Sequence, residues 1–208
     1  MIPKIVHQIW LGGLDRRPAR IVEAMTQVET VFRRLGYDYR LWTEADLPNL
    51  RIERFADIRP YAALSDLMRY RLLTLYGGWY LDADCEPAND SPVLPDEGDV
   101  FIIDSNLRRN YFTAILGAAQ GHALMQDCFR QSARVFRKVL AGHRPKRDVA
   151  WLVGPGLLFR LCRKHGIRPR RWIRWMAHFD PATPIIHRKL HSWKDQPLHL
   201  VKQEEKEQ

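Results

Sequence analysis

Short apolar runs alternate along the chain with amphipathic stretches, and this alternation predicts strands separated by helices. Glycines and the proline-containing segment 90–98 mark the breaks between them. Strands that alternate with helices predict an α/β protein, a central sheet flanked by helices, folded as one domain over residues 1–201. We expect strands at Lys4–Leu11, Tyr37–Trp42, Trp79–Leu81, Asp99–Asp104, Phe112–Ala119 and Pro184–His187, and helices at Pro18–Arg34, Leu64–Leu75, His122–Leu140 and Gly154–Lys164.

The most informative segment runs from Ala63 to Asp84. Its first part is apolar at helical spacing, and Asp66 and Arg69, three residues apart, are neighbours on the surface of that helix. Gly77 is well placed to end the helix in the left-handed conformation. Three aromatic and apolar residues then predict a buried strand that leads directly into Asp82.

Two carboxylates follow that strand. Asp82 and Asp84 are two residues apart, a spacing that puts side chains on the same side of extended chain. Carboxylate oxygens suit Mg²⁺ or Mn²⁺, and such an ion reverses the repulsion between the aspartates and a pyrophosphate. The pair therefore predicts a divalent-metal site for a phosphorylated ligand. The alternative is a solvated loop that begins with two aspartates, which the helix, glycines and strand before it disfavour.

Composition limits the class of protein. The chain has 208 residues, of which 46% are hydrophobic, as in globular proteins. No apolar run approaches the ~20 residues of a membrane span, and no signal-peptide pattern precedes the first strand. Three cysteines cannot all pair, which favours a reducing, cytoplasmic compartment. We expect Cys85 to be a packing residue, since no activating base is evident near it.

The net charge of +9 exceeds what solubility requires, so it indicates an anionic partner unless another explanation is found. Much of the surplus lies in Arg130–Arg147 and in Arg160–Arg174, where Trp172 and Trp175 interrupt the second cluster. Arginines mixed with tryptophans suit an anionic membrane surface, which would place the protein at the inner face of the membrane. A solvated basic face with buried tryptophans is an equal alternative, and nucleic acid is not favoured. The charged tail 202–208 is expected to be disordered.

Taken together, these residues resemble the sugar-binding region of glycosyltransferases that carry an Asp-x-Asp motif. The nearest family contains yeast initiating mannosyltransferases, bacterial capsule and lipopolysaccharide transferases and, more distantly, clostridial glucosylating toxins. The resemblance runs from Ile2 to Trp193, and its other segments are Ile2–Trp10, Tyr39–Trp42 and His187–Trp193. It implies a GT-A type nucleotide-diphospho-sugar transferase fold with a mixed central sheet.

The resemblance also implies roles for single residues. The first strand and Trp42 would line the pocket of the nucleotide base, which gives substrate-binding roles to His7, Gln8, Trp10 and Trp42. Each of them alone could equally be a core residue, with a tryptophan packed beside a hydrogen-bonded histidine.

Near the motif, the resemblance places Asp66 and Arg69 at the donor sugar and ribose, where the alternative is a surface ion pair. Asp82 would bind the sugar or ribose, and Asp84 would bind the metal. His187 and His191 would be further candidate ligands of the metal or of a phosphate, and of the two His187 is favoured. The remaining implied substrate contacts are Ser65, Asn110, Gly154, Ser192 and Trp193.

The activity implied is a metal-dependent, retaining transfer of a sugar from a nucleoside diphosphate to a hydroxyl of a glycan or glycolipid, in surface polysaccharide synthesis. UDP is favoured over GDP, and manganese or magnesium is the expected ion. A phosphatase that forms an aspartyl phosphate is excluded, because its motif follows the first strand and is closely followed by threonine. The rivals that remain are a basic nucleic-acid-binding module and an inactive transferase-like protein.

Overall fold

The protein is described by a computed structural model over residues 1–95, 97–104, 111–169, 184–187 and 198–200. The predicted strands and helices are found within a few residues of their expected bounds. In chain order the strands are β1 (Ile5–Ile9), β2 (Asp38–Trp42), β3 (Ile58–Arg59), β4 (Gly78–Leu81), β5 (Cys85–Pro87), β6 (Val100–Asp104), β7 (Tyr111–Ala118), β8 (Ile185–His187) and β9 (His199–Leu200). The helices are α1 (Ala19–Arg34), α2 (Tyr61–Leu75), α3 (Ala123–Leu140), α4 (Val149–Leu152) and α5 (Pro155–Lys164).

Five strands form the central sheet, in the order β2-β1-β4-β7-β6. Strands β2, β1 and β4 are parallel, whereas β7 runs antiparallel to both of its neighbours. The expected mixed sheet is therefore confirmed. The carboxyl ends of the three parallel strands meet at one edge, which is where ligands bind in sheets of this kind.

Helices cover both faces of the sheet. On one face, Val28 and Phe32 of α1 pack against a cluster that includes Trp79 and Leu81 of β4. On the other face, α2, α3 and α5 share a larger cluster that includes Tyr80. Because side chains alternate along β4, Tyr80 faces α2 while its two neighbours face α1.

The turn between α2 and β4 depends on two glycines. Gly77 has φ of +66° and Gly78 has φ of +93°, values that L side chains rarely adopt. A Cβ on Gly77 would lie 2.5 Å from the backbone nitrogen of Gln120, and one on Gly78 would lie 2.7 Å from the Ile5 carbonyl oxygen. These glycines therefore set the position of β4 and of the residues that follow it.

Two small two-stranded sheets lie outside the central sheet. Strand β3 pairs with β9, and β5 pairs with β8, both antiparallel. The sequence predicted β8 but not β3, β5 or β9, since strands of two or three residues are too short to show a reliable period. Among the described residues, no helix is long and apolar enough to cross a bilayer.

Candidate active site

Three potential metal ligands meet at the carboxyl end of β4. Asp82 follows the strand and Asp84 lies in the turn that leads to β5. The pairing of β5 with β8 places His187 opposite Cys85, beside that turn. The Nε2 atom of His187 is 3.1 Å from Oδ1 of Asp84 and 3.9 Å from Oδ2 of Asp82. One ligand atom from each of the three residues lies within 4.8 Å of the other two, so the group could hold a metal ion.

The two carboxylate oxygens of Asp82 face different partners. The hydroxyl of Tyr80 donates a hydrogen bond of 2.7 Å to Oδ1, and Nη2 of Arg69 is 3.2 Å from the same atom. The guanidinium also lies over the ring of Tyr80, 4.4 Å from its centroid. Oδ1 is thus held by the protein, which leaves Oδ2 directed towards His187. The sequence analysis missed Tyr80, although its place two residues before Asp82 on one side of the strand is a usable signal.

Arg69 links Asp82 to Asp66 in a buried chain of charges. Its Nε is 3.3 Å from Oδ1 of Asp66, and its Nη1 donates to the carbonyl of Thr113 at 2.7 Å. The side chains of Arg69 and Asp66 are only 6% and 8% exposed, so this is not the surface ion pair of the alternative hypothesis.

Burial and charge act in opposite directions on this chain of side chains. Burial raises the pKa of Asp66 to about 6, although Arg69 opposes the shift. Burial alone would lower the pKa of Arg69, but the carboxylates of Asp82 and Asp66 raise it above its ordinary value. Arg69 therefore stays protonated and keeps a positive charge against Asp82.

The segment that begins α5 lies directly against Asp66. A Cβ on Gly154 would lie 2.8 Å from Oδ2 of Asp66 and 3.2 Å from Cα of Ala150. Only a glycine allows the chain to pass so close to that carboxylate without a shift. The backbone of Gly154 thus lies directly against the carboxylate of Asp66.

His7 and Trp42 are joined in a buried hydrogen-bonded relay. The indole Nε1 of Trp42 donates to Nδ1 of His7 at 3.1 Å, so the proton of the imidazole is on Nε2, which donates to the carbonyl of Gly77 at 2.9 Å. Burial lowers the pKa of His7 to about 4, which keeps the ring neutral. Trp42 also stacks on Tyr76, with centroids 5.5 Å apart. Both imidazole nitrogens are engaged, an arrangement that favours the core alternative for His7 and Trp42 over contact with a base.

Gln8 is completely buried and connects two strands to the motif. Its Nε2 donates to the backbone carbonyl of Asp82 at 3.1 Å, and its Oε1 accepts from the hydroxyl of Tyr39 at 2.9 Å. The amide therefore holds the backbone of the Asp82–Asp84 turn. Sequence reasoning found Gln8 but missed Tyr39, whose contact spans 31 residues of sequence.

The structure describes three further residues that the sequence singled out, namely Trp10, Ser65 and Cys85. Trp10, at the end of β1, is half-buried, and its indole N–H donates to the carbonyl of Gly13 at 2.8 Å. Ser65 is also half-buried, and its carbonyl oxygen lies 3.4 Å from Nε of Arg69. Cys85 is fully buried, and burial raises the pKa of its thiol well above the usual value, in line with a packing residue. The predicted residues Asn110, His191, Ser192, Trp193, Trp172 and Trp175 lie outside the described part of the chain.

Comparison with known proteins finds that this chain is similar to glycosyltransferases. Residues 19–101 match the family described as "Glycosyltransferase sugar-binding region containing DXD motif". An uncharacterized glycosyltransferase of Acanthamoeba polyphaga mimivirus is 24% identical over 140 residues, which cover 62% of this chain and 55% of that protein. Inositol phosphoceramide mannosyltransferase 3 of Schizosaccharomyces pombe is 29% identical over 164 residues, 74% of this chain and 43% of that protein. The chain thus spans about half the length of these curated relatives.

A solved structure has the same fold. The PaToxG glycosyltransferase superposes with a TM-score of 0.56 at 11% sequence identity, over 79% of this chain and 69% of that one. At this level of identity the likeness concerns the fold alone, and it confirms the expected GT-A type architecture.

Proposed function

We propose that this chain is a glycosyltransferase of the kind that carries a sugar-binding region with the DXD motif. We further propose that it transfers a sugar from a nucleoside diphosphate to an acceptor hydroxyl with the help of Mn²⁺ or Mg²⁺. The observation that carries the proposal is the convergence of Asp82, Asp84 and His187 within 4.8 Å, beside the buried chain formed by Asp66 and Arg69. Separate parts of the sequence supply these groups, and only the fold brings them together.

The residues present fit a divalent cation. Two carboxylates and an imidazole are a donor set that Mn²⁺ accepts readily, with other positions left for water and phosphate oxygens. When bound, the ion would supply positive charge against the diphosphate leaving group. Asp84 and His187 would be protein ligands, and Oδ2 of Asp82 would face the same space.

Asp66 and Arg69 act mainly through Asp82 in this proposal, because little of either side chain is exposed. Arg69 and Tyr80 fix Oδ1 of Asp82, which orients Oδ2 before any ligand binds. Such an arrangement stabilises charge in the transition state at no cost in reorganisation.

We further propose that the anomeric configuration is retained. The bond from the anomeric carbon to the phosphate oxygen breaks, and the acceptor oxygen bonds to the same face of that carbon. The acceptor proton passes to the leaving phosphate, so the scheme requires no protein base. The role of the protein is then to align donor and acceptor.

For the substrates, we propose a UDP-sugar in preference to a GDP-sugar, and a glycan or glycolipid acceptor in surface polysaccharide synthesis at the inner face of the cell membrane. One relative is named as an inositol phosphoceramide mannosyltransferase, which supports a lipid that carries hydroxyl groups as acceptor. Of the two predicted aromatic residues that the structure describes, Trp10 is better placed than Trp42 to stack on a base, because Trp42 is buried.

Nucleotide binding tests the proposal. Titration of the full chain with UDP or GDP should show Mn²⁺-dependent binding of one nucleotide in preference to the other. In the Asp84→Asn variant, this binding and any hydrolysis of the donor sugar should fall at least roughly 10- to 100-fold. That is the loss seen when a metal ligand loses only its hydrogen-bond partner. Asp57→Asn is the matched control, since Asp57 is an exposed carboxylate outside this site. Failure to bind either nucleotide, or full turnover by Asp84→Asn, would contradict the proposal.

A further inference from the structure

The surplus positive charge of the protein is confined to one stretch of the chain. Residues 119–169 contain 11 lysines and arginines but only 2 acidic residues, a surplus of nine. The net charge of the whole chain is also +9, so acidic and basic residues balance over all other positions. A surplus concentrated in this way produces a directed field rather than general solubility.

The two carboxylates of this stretch are engaged locally. Asp127 contacts Nη2 of Arg130, Nζ of Lys164 at 3.1 Å and Nε2 of His165 at 2.8 Å. Asp148 caps α4, where its Oδ1 accepts a hydrogen bond of 2.7 Å from the backbone of Trp151. Arg134, Arg137 and Lys138 make no ion pair among the described residues, so their charges remain on the surface.

The cations of α3 and α5 form one surface. Arg130, Arg134, Arg137 and Lys138 follow one another at intervals of four, three and one, which places them on one side of α3, and all four are exposed. On α5, Arg163 and Lys164 are exposed as well. Asp127 contacts both Arg130 and Lys164, so the two groups are contiguous. We call this the basic face: Arg130, Arg134, Arg137, Lys138, Arg163 and Lys164.

Helix α5 connects the basic face with the candidate active site. Gly154, the residue before the helix, lies against Asp66, and Lys164 at its other end is part of the basic face. A helix of 10 residues is about 15 Å long. A large anionic surface that bound the basic face would therefore lie close to the site.

We infer that the basic face binds an anionic lipid bilayer and holds the candidate active site next to the membrane surface. A flat array of headgroups matches a straight row of cations on α3, and each lysine or arginine near such a surface adds to the attraction. This inference extends the proposed function, because it concerns a surface outside the site, and its binding test does not depend on sugar transfer.

The aromatic residues of this stretch favour lipid headgroups over single-stranded nucleic acid. Stacking platforms for bases need exposed rings. Phe129, Trp151 and Phe159 are half-buried, and Phe136 is fully buried. Their rings are engaged with protein side chains, namely Arg71, Arg160, Tyr111 and Phe55. The basic face can therefore attract a partner through its charge alone, as expected for binding to a bilayer surface.

Flotation with vesicles tests the inference on the full chain. The protein should bind vesicles of phosphatidylcholine with about 30% phosphatidylserine, should not bind pure phosphatidylcholine, and should dissociate as salt rises. The double variant Arg134→Gln/Arg137→Gln should bind the anionic vesicles about 25-fold more weakly, roughly fivefold for each charge removed. Arg20→Gln/Arg34→Gln, on exposed positions of α1 across the sheet, is the matched control and should bind as the unchanged protein does.

Three outcomes would overturn the inference: equal binding to both kinds of vesicle or to neither, an equal loss in the control, or tighter binding of a DNA duplex than of anionic vesicles. Circular dichroism and the thermal midpoint should show that both double variants fold. UDP titration of the same proteins separates the two proposals. Vesicle binding without nucleotide binding would contradict sugar transfer but support membrane binding by the basic face. Nucleotide binding without vesicle binding would support sugar transfer but contradict membrane binding.

Discussion

At the scale of single residues, the most important feature is that the two carboxylate oxygens of Asp82 have different roles. Tyr80 and Arg69 hold Oδ1, whereas Oδ2 faces Nε2 of His187, which also lies 3.1 Å from Oδ1 of Asp84. A carboxylate held in this way has one orientation before a ligand arrives. Outer partners of this type commonly matter almost as much as the groups that touch the ligand.

Tyr80→Phe should lower the hydrolysis of donor sugar by about 10- to 100-fold, because Asp82 loses one of the two groups that orient it. Phenylalanine fills the same buried space, so the free energy of unfolding should change little. The measurement is kcat/KM for donor hydrolysis, with urea unfolding as the test of folding.

The control for that prediction is Tyr70→Phe. Tyr70 is also fully buried, but its hydroxyl has no hydrogen-bond partner among the described residues. Removing it should leave activity unchanged and should not reduce stability. If both variants lose activity to the same degree, the hydroxyl of Tyr80 has no specific role in orienting Asp82.

At the scale of secondary-structure elements, the turn from α2 into β4 determines where the motif lies. Gly77 follows α2 just as Gly36 follows α1, and both have positive φ, +66° and +79°. Their surroundings differ. A Cβ on Gly36 would meet nothing within 4 Å, whereas a Cβ on Gly77 would meet backbone atoms of Gln120 and Ala118 at 2.5 and 2.9 Å.

Gly36→Ala should therefore destabilise the protein by about 1–2 kcal/mol, the cost of the left-handed conformation alone. Gly77→Ala should cost about 3 kcal/mol or more, because the overlap with backbone adds to that strain. Urea unfolding of both variants measures the difference. Equal losses would mean that the turn can move without cost, and that the position of β4 does not depend on Gly77.

Comparison of these elements with the sequence shows what a local pattern can predict. The helices and longer strands were predictable because their hydrophobic periods extend over several turns or residues. The pairing of β5 with β8 was not, since it joins segments about a hundred residues apart in sequence. The family resemblance named His187 as a candidate ligand, but only the pairing of β5 with β8 explains why it lies beside Asp84.

The role of His7 could not be predicted from the sequence for the same physical reason. Its two hydrogen-bond partners, Trp42 and Gly77, are 35 and 70 residues away in sequence. No local signal distinguishes a histidine that faces a ligand from one that bridges two strands and a turn. Tyr80, by contrast, needed only the alternation of side chains along one strand to be placed beside Asp82.

At the scale of the whole molecule, the candidate metal site connects distant parts of the chain. Asp82 and Asp84 follow a strand of the central sheet, whereas His187 belongs to β8, a late strand outside that sheet. A metal ion bound by all three would join them only in the folded protein. Ligands that bind the folded state alone stabilise it in proportion to the logarithm of their concentration.

Mn²⁺ without nucleotide should therefore raise the thermal midpoint of the full chain. At a concentration 100 times the Kd, the ion should add about 2.7 kcal/mol to the free energy of unfolding. For a protein of this size that is roughly 5–10 °C. Asp84→Asn should lose this increment but keep the metal-free midpoint, since asparagine retains an oxygen near Nε2 of His187 and removes one of two neighbouring negative charges. Asp57→Asn should keep the full increment, and EDTA should abolish it in both. If the midpoint of Asp84→Asn rises with Mn²⁺ as much as that of Asp57→Asn, the ion binds elsewhere and the carboxylates at the end of β4 do not form the metal site.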